Sequence, residues 1–118
     1  MYTPSQFNRL CEEFKGREDE IMDFKRTEYA AGEDRLENFR TIAGFTETSM
    51  EQVALLYLLK HIQSITVAVK TDKYRWCWED GDGEGLKQRI SDARNYLLLL
   101  AGCLDELDEL DELERDGA

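Results

Sequence analysis

Residues 48–70, "TSMEQVALLYLLKHIQSITVAVK", decide the fold. Ser49 followed three residues later by Gln52 is the capping-box pattern, in which each side chain satisfies the other's backbone N–H at a helix start. Helical periodicity then continues to about Lys70, with apolar residues on most sides, so the segment reads as the central helix of an all-α bundle. Lys60, His61, Gln63 and Ser64 interrupt the apolar run, and a membrane span is therefore not expected. Tyr57, Lys60 and Ser64 fall on one face at helical offsets, with His61 one position round.

Working outward, "TPSQF" places Thr3 as N-cap, Pro4 at the first helical position and Gln6 at the third. Phe7, Leu10, Cys11 and Phe14 follow on one face, and the spacing predicts a first helix to about Lys15. A second segment carrying Ile21, Phe24 and Lys25 is expected beyond Gly16, with a break at Gly32, and a short helix holding Leu36, Phe39 and Ile42 should stop at Gly44. "KTDKYRWCWEDGDGEG", residues 70–85, reads as an aromatic and glycine-rich loop with a short ribbon at Tyr74–Trp78. A long last helix begins at Glu84 or Leu86. The expectation is four or five helices and one elaborated loop, with residues 1–104 as a single domain and 105–118 as an acidic extension.

Ile90, Leu97 and Leu104 recur every seven residues along the last helix, with Ala93, Leu100 and Leu107 between them, which predicts a seam packed on a partner helix. Gln88, Asp92, Asn95 and Leu99 share a face largely opposite that seam, and it too should point inward, because the helix is apolar nearly all round beyond Asn95. The tail changes period: Leu104, Leu107, Leu110 and Leu113 are three apart. Three residues turn only about 300° in an α-helix, so the stripe winds off the seam and the tail should be poorly packed.

The 118 residues carry a net charge of -11. Residues 105–118 hold eight acids and one base, so -7 of that charge sits in the tail and -4 on the rest. Neutralising a polyphosphate backbone needs an excess of Lys and Arg, so nonspecific nucleic-acid binding and attraction to anionic membranes are both excluded. A small phosphate-bearing ligand held by a few local bases is compatible. The three cysteines, Cys11, Cys77 and Cys103, lack metal-type spacing and follow no secretory-type leader; reduced thiols in a cytoplasm are expected.

Polar residues recur where the pattern predicts burial. "KRTEYAAGEDRLENFR", residues 25–40, mixes Lys25, Glu28, Arg35 and Asn38 with Tyr29, Leu36 and Phe39. If the helices converge, Lys25, Glu28, Lys60, His61, Asp92 and Asn95 meet in the bundle interior, where ligand sites of helical bundles are usually built. A purely structural reading pairs Lys60 with Asp92 and Lys25 with Glu28 as a buried ion network. His61 is a candidate general base, or a core residue without catalytic duty.

In order, "KRTEY", "DRLENFRTIAGF", "SMEQVALLYLLKHIQSI" and "RISDARNYLLLL" resemble phage and prophage proteins related to the all-α MazG-type nucleoside triphosphate pyrophosphohydrolases, and especially the nucleotide modification associated domains. The resemblance covers about residues 20–104. In active members two acidic pairs, Glu-x-x-Glu and Glu-x-x-Asp, hold Mg²⁺ against the phosphates. The matching pairs are Lys25-x-x-Glu28 and Asp92-x-x-Asn95, each with one carboxylate kept and one lost. Mg²⁺ demands octahedral oxygen coordination, so this exchange shifts the balance from cleaving to holding.

The resemblance thus implies a nucleotide or cyclic-nucleotide binder in the cytoplasm of an infected or lysogenic bacterium, sequestering a signal of host defence. It also implies a homo-oligomer. Lys25, Lys60 and Arg94 would meet phosphate. Glu28 and Asp92 would position those bases or hold one Mg²⁺, no cofactor being otherwise required. Asn95 and Tyr29 would read sugar or base, with Asn38 and Tyr96 beside them.

Two alternatives stand: a Mg²⁺-dependent pyrophosphohydrolase acting on free or modified deoxynucleotides, and an interaction protein whose acidic tail mimics nucleic acid for a host factor. The loop adds two minor readings. Asp80, Asp82 and Glu84 begin like a calcium loop, but its twelfth position is Ser91, inside the expected helix. Tyr74, Trp76 and Trp78 could stack on a base, with Lys73 and Arg75 at its phosphate, or else pack on the bundle.

Overall fold

The computed structural model describes the backbone at residues 1–28, 34–80 and 83–117, and the side chains at 1–20, 34–79 and 83–117. The fold is all-α. Among the described residues there are four helices, α1 (Pro4–Glu28), α2 (Glu37–Thr46), α3 (Met50–Thr71) and α4 (Leu86–Gly117), and one small hairpin of β1 (Glu79–Asp80) and β2 (Gly83–Glu84). Two compact units emerge, Met1–Arg35 and Leu36–Ala118.

The first unit is built on α1. Thr3 Oγ1 accepts from the Gln6 N–H at 3.2 Å and Gln6 Oε1 accepts from the Thr3 N–H at 2.7 Å, a reciprocal cap. Tyr2 packs edge-on against Phe7 with centroids 6.4 Å apart, the residue before the cap stapled to the fourth helical position. The helix does not stop near Lys15 as the glycine suggested: Gly16 lies inside α1, where it costs about 1 kcal/mol of helix propensity but leaves the backbone bonds intact. The expected break at Gly32 lies outside the described residues.

The second unit carries the core. Leu36, Phe39 and Ala43 of the α2 region bury against Val53 and Ala54 of α3 and Cys103 of α4, with Ile42, Met50, Tyr57, Tyr96, Leu99 and Leu100 packed around them. A Cβ on Gly102 would stand 3.7 Å from Leu36 Cδ2, an ordinary van der Waals contact, so the start of α2 lies beside α4 at this level. Arg40 adds a two-pronged ion pair to Glu106, both contacts 2.9 Å, fixing α2 to α4 by fork geometry.

Helix α2 passes through Gly44, where a stop was expected. It ends two residues later at Thr46 and is capped by Glu47, which takes the left-handed conformation (φ 55°) while the Thr48 N–H bonds the Ala43 carbonyl at 3.0 Å. The capping box of α3 is present, Ser49 N–H to Gln52 Oε1 at 3.1 Å and Gln52 N–H to Ser49 Oγ at 3.3 Å. By length and composition α3 is the one helix among the described residues that could cross a membrane; Val53, Ala54, Leu58 and Ala68 are buried inside the unit, while Leu55, Leu56, Leu59, Ile62, Val67 and Val69 are exposed.

Helix α4 runs unbroken through residue 105 to Gly117, about 48 Å at 1.5 Å per residue. Its packed face is the polar one: Gln88, Ser91 and Asn95 are buried, and Cys103 continues the face. The expected leucine seam is different. Ala93 is buried, but Leu97 and Leu104 are each about half exposed, 52% and 51%. Small and polar side chains let α4 lie against α3, Leu97 and Leu104 are left on the outside, Ile90 is half-buried and Leu100 packs at the edge of the core. Leu107, Leu110 and Leu113 are exposed along the tail, as their three-residue spacing predicts.

The ribbon expected at Tyr74–Trp78 sits just beyond it, in the antiparallel pairing of Glu79 with Glu84 and Asp80 with Gly83. Residues 75–78 instead pass over the first turn of α4. Trp78 O accepts from the Gly85 N–H (3.0 Å), Arg75 O from Leu86 (2.8 Å) and Trp76 O from Lys87 (3.3 Å). Backbone carbonyls thus satisfy amides that a helix start leaves without intrahelical partners.

Candidate functional site

The only group of candidate residues that the described side chains bring together lies between α3 and α4. Tyr96 of α4 is its centre. His61 stacks on the Tyr96 ring at 4.8 Å and 25°, and Tyr57 stacks on it at 5.8 Å and 20°. Phe39 closes the cluster from α2, 6.1 Å from Tyr57 and 6.3 Å from Tyr96. The geometry follows from helical spacing: Tyr57 and His61 are four apart on α3, so both meet the same face of α4. Lys60, next to His61, places its ammonium 5.9 Å from the centre of the Tyr57 ring, within cation–π range.

Polar groups lie on α4 along the buried face. Gln88 Nε2 donates to Asp92 Oδ1 at 2.9 Å. Asp92 therefore takes an amide partner one turn back, rather than the Lys60 ammonium that an ion network would have given it. Ser91 is fully buried and Asn95 is 4% exposed; the Ser91 hydroxyl and both the oxygen and the nitrogen of the Asn95 amide have no hydrogen-bond partner. A buried amide without partners costs about 1–3 kcal/mol, which sets Asn95 apart from the apolar side chains packed around it.

Electrostatics couple the two sets. Burial pushes the Tyr96 hydroxyl above its usual value of 10.0, and neighbouring Tyr57 and Asp92 push it the same way. A phenol whose folded pKa is raised contributes stability that is fully present below the unfolded value and is lost as pH rises through the folded one. Urea midpoints should therefore fall more steeply above pH 10 in the wild type than in Tyr96→Phe, and coincident alkaline profiles would remove Tyr96 from the packed centre. Cys103 is likewise raised, by burial first and then by Glu51 and Glu106, with Arg40 partly offsetting them; its thiol is a core group.

The remaining candidates fall elsewhere. Asn38 is exposed on α2 and Arg94 is exposed on α4. Lys25, Glu28 and Tyr29 lie outside the described side chains, as does Asp82 of the calcium-like loop. Among the described residues no three His, Cys, Asp or Glu side chains are grouped to hold a metal. The described donor set fits Mg²⁺ poorly: Asp92 offers one carboxylate already bonded to Gln88, and Asn95 is a neutral amide. Phe39 was legible as a core residue of α2 but not as a wall of this cluster, because it comes from a different helix, and Ser91 was missed because a lone serine between Ile90 and Asp92 carries no periodic signal. No protein-family model, no curated protein and no solved structure matches this chain.

Proposed function

We propose that the protein is a nucleotide-binding protein which holds a phosphate-bearing small molecule, linear or cyclic, at the α3–α4 site. The observation that carries the reading is the Asn95 amide, buried with both polar atoms unpartnered. An amide presents one donor edge and one acceptor edge side by side, which suits a base or sugar edge. The Tyr57, His61 and Tyr96 rings supply aromatic surface at the same level, and Lys60 a cation for phosphate. In a phage-infected or lysogenic bacterium such a binder would withdraw a nucleotide signal from the cytoplasm without consuming it.

Asn95→Leu separates this reading from a structural one. Replacing an unsatisfied amide by an apolar group of similar size should raise stability by about 1 kcal/mol while abolishing binding. Thermal melts with and without a nucleotide panel check both; an undiminished nucleotide-dependent shift in the variant would overturn the proposal. The hydrolytic alternative routes turnover through Glu28 and Asp92, so robust cleavage that survives Glu28→Ala and Asp92→Ala rules out this site as its centre.

The same proposal includes self-association. Leu55, Leu59, Ile62 and Val69 are exposed at offsets that form one stripe along α3, and contiguous apolar surface of this kind marks interaction sites. Light scattering should give a mass that is a multiple of one chain. A strictly monomeric mass at high protein concentration would contradict it.

A further inference from the structure

Beyond that site, both tryptophans of the chain converge on one cation. Lys87 Nζ lies 5.4 Å from the centre of the Trp76 ring and 5.8 Å from that of Trp78. Both distances are within the roughly 6 Å at which an ammonium is attracted to an indole face. The arrangement is built rather than incidental. Trp76 and Trp78 lie two apart on the segment leading into the hairpin, and three backbone bonds hold that segment on the first turn of α4: Gly85 to Trp78, Leu86 to Arg75 and Lys87 to Trp76. The third bond joins the backbone of the lysine to that of one of its tryptophans. The hairpin carrying Glu79 and Glu84 follows directly.

Two indole faces around one ammonium form the recognition element used for alkylammonium ligands. Trp76 is 45% exposed, so the clamp opens to solvent. Its present occupant sits at the end of a flexible four-carbon stem that can swing aside. A chain of net charge -11 also raises the local concentration of cations. We propose that the Trp76–Trp78 clamp is a binding site for an alkylammonium group, and that Lys87 is an intrachain occupant which the ligand displaces. The ammonium can come from a free polyamine or from a lysine side chain of another protein; both present the same chemistry to the indoles.

Because the chain has two tryptophans and both are in the clamp, emission of the full-length protein excited beyond the absorption of its five tyrosines reports on this site alone. Spermidine, Nα-acetyl-lysine amide and tetramethylammonium would each be titrated against sodium chloride at matched ionic strength. Expected are saturable changes in emission beyond those in sodium chloride. In Lys87→Met, which keeps the apolar stem and removes the ammonium, binding should be about two- to five-fold tighter. Trp76→Ala, at an exposed position, should lose the saturable change while Trp78 still reports and the far-ultraviolet dichroism is unchanged. Saturation by spermidine alone identifies the polyamine source, and saturation by the lysine derivative identifies a protein lysine. Emission that follows sodium chloride in both wild type and Lys87→Met overturns the site. Equal affinity in the two overturns the role of Lys87, and saturation that survives in Trp76→Ala overturns the clamp.

Discussion

Phe39→Ala should lower the stability of the Leu36–Ala118 unit by about 3–5 kcal/mol, the range for removing a buried aromatic ring from a core. Phe39 is the side chain through which α2 reaches the α3–α4 pair: it is buried in the central cluster and meets the rings of both Tyr57 and Tyr96. Its loss removes apolar burial and also leaves a void that the stacked pair of tyrosines must relax into. A small domain has only about 5–15 kcal/mol in total, so the urea midpoint followed by far-ultraviolet dichroism should fall by about a fifth or more. A change below about 1 kcal/mol would mean that α2 is not part of the cooperative core.

Gly85→Ala is expected to have the next largest effect, and for a different reason. A Cβ at residue 85 would lie 1.4 Å from the Cys77 carbonyl oxygen and 2.6 Å from its carbon, with Arg75 O at 3.2 Å. These are backbone atoms, so no rotamer relieves the overlap, and the 75–78 segment must move off the start of α4. The three bonds by which it covers Gly85, Leu86 and Lys87 are then lost or lengthened. At about 1 kcal/mol each, the loss is about 3 kcal/mol, on the order of 10 °C in melting temperature for a domain of this size. Tryptophan emission should shift to the red at the same time. A variant that melts with the wild type and keeps its emission would refute the close approach.

The two positions differ in how far the sequence reveals them. Phe39 announces itself: it recurs with Leu36 and Ile42 at helical spacing, and burial follows. Gly85 does not. Its need for a missing Cβ arises from contact with residues 75–78, which are close only after the loop has folded over α4. Local chemistry was legible for the same reason that this was not. The Thr3–Gln6 and Ser49–Gln52 boxes operate within four residues, and both are present as expected. Gly16 and Gly44 were read as stops because glycine is a poor helix former, yet that cost is small beside the packing of a long helix.

Helix α4 shows the other limit of periodicity. Asp92 and Asn95 were expected to face inward and their face does so, with Asn95 buried and Asp92 half-buried. The Ile90, Leu97 and Leu104 stripe was expected to be packed as well, but Leu97 and Leu104 are half exposed. A heptad of leucines states that a partner is wanted, not where it comes from. The polar face that α4 turns to α3 instead was legible as an anomaly, and the tyrosine and histidine rings that accompany it could be assembled only from the fold.

The central claim is that the α3–α4 site holds a nucleotide without converting it. Its most direct test is to incubate the full-length protein with Mg²⁺ and a mixed panel of linear and cyclic nucleotides. The free solution and the material released from heat-denatured protein are then resolved by chromatography. The account predicts that one nucleotide is depleted from solution and recovered intact from the denatured protein, and that Asn95→Leu leaves it in solution. Monophosphate and pyrophosphate appearing in solution, or a panel unchanged in both fractions, would contradict it.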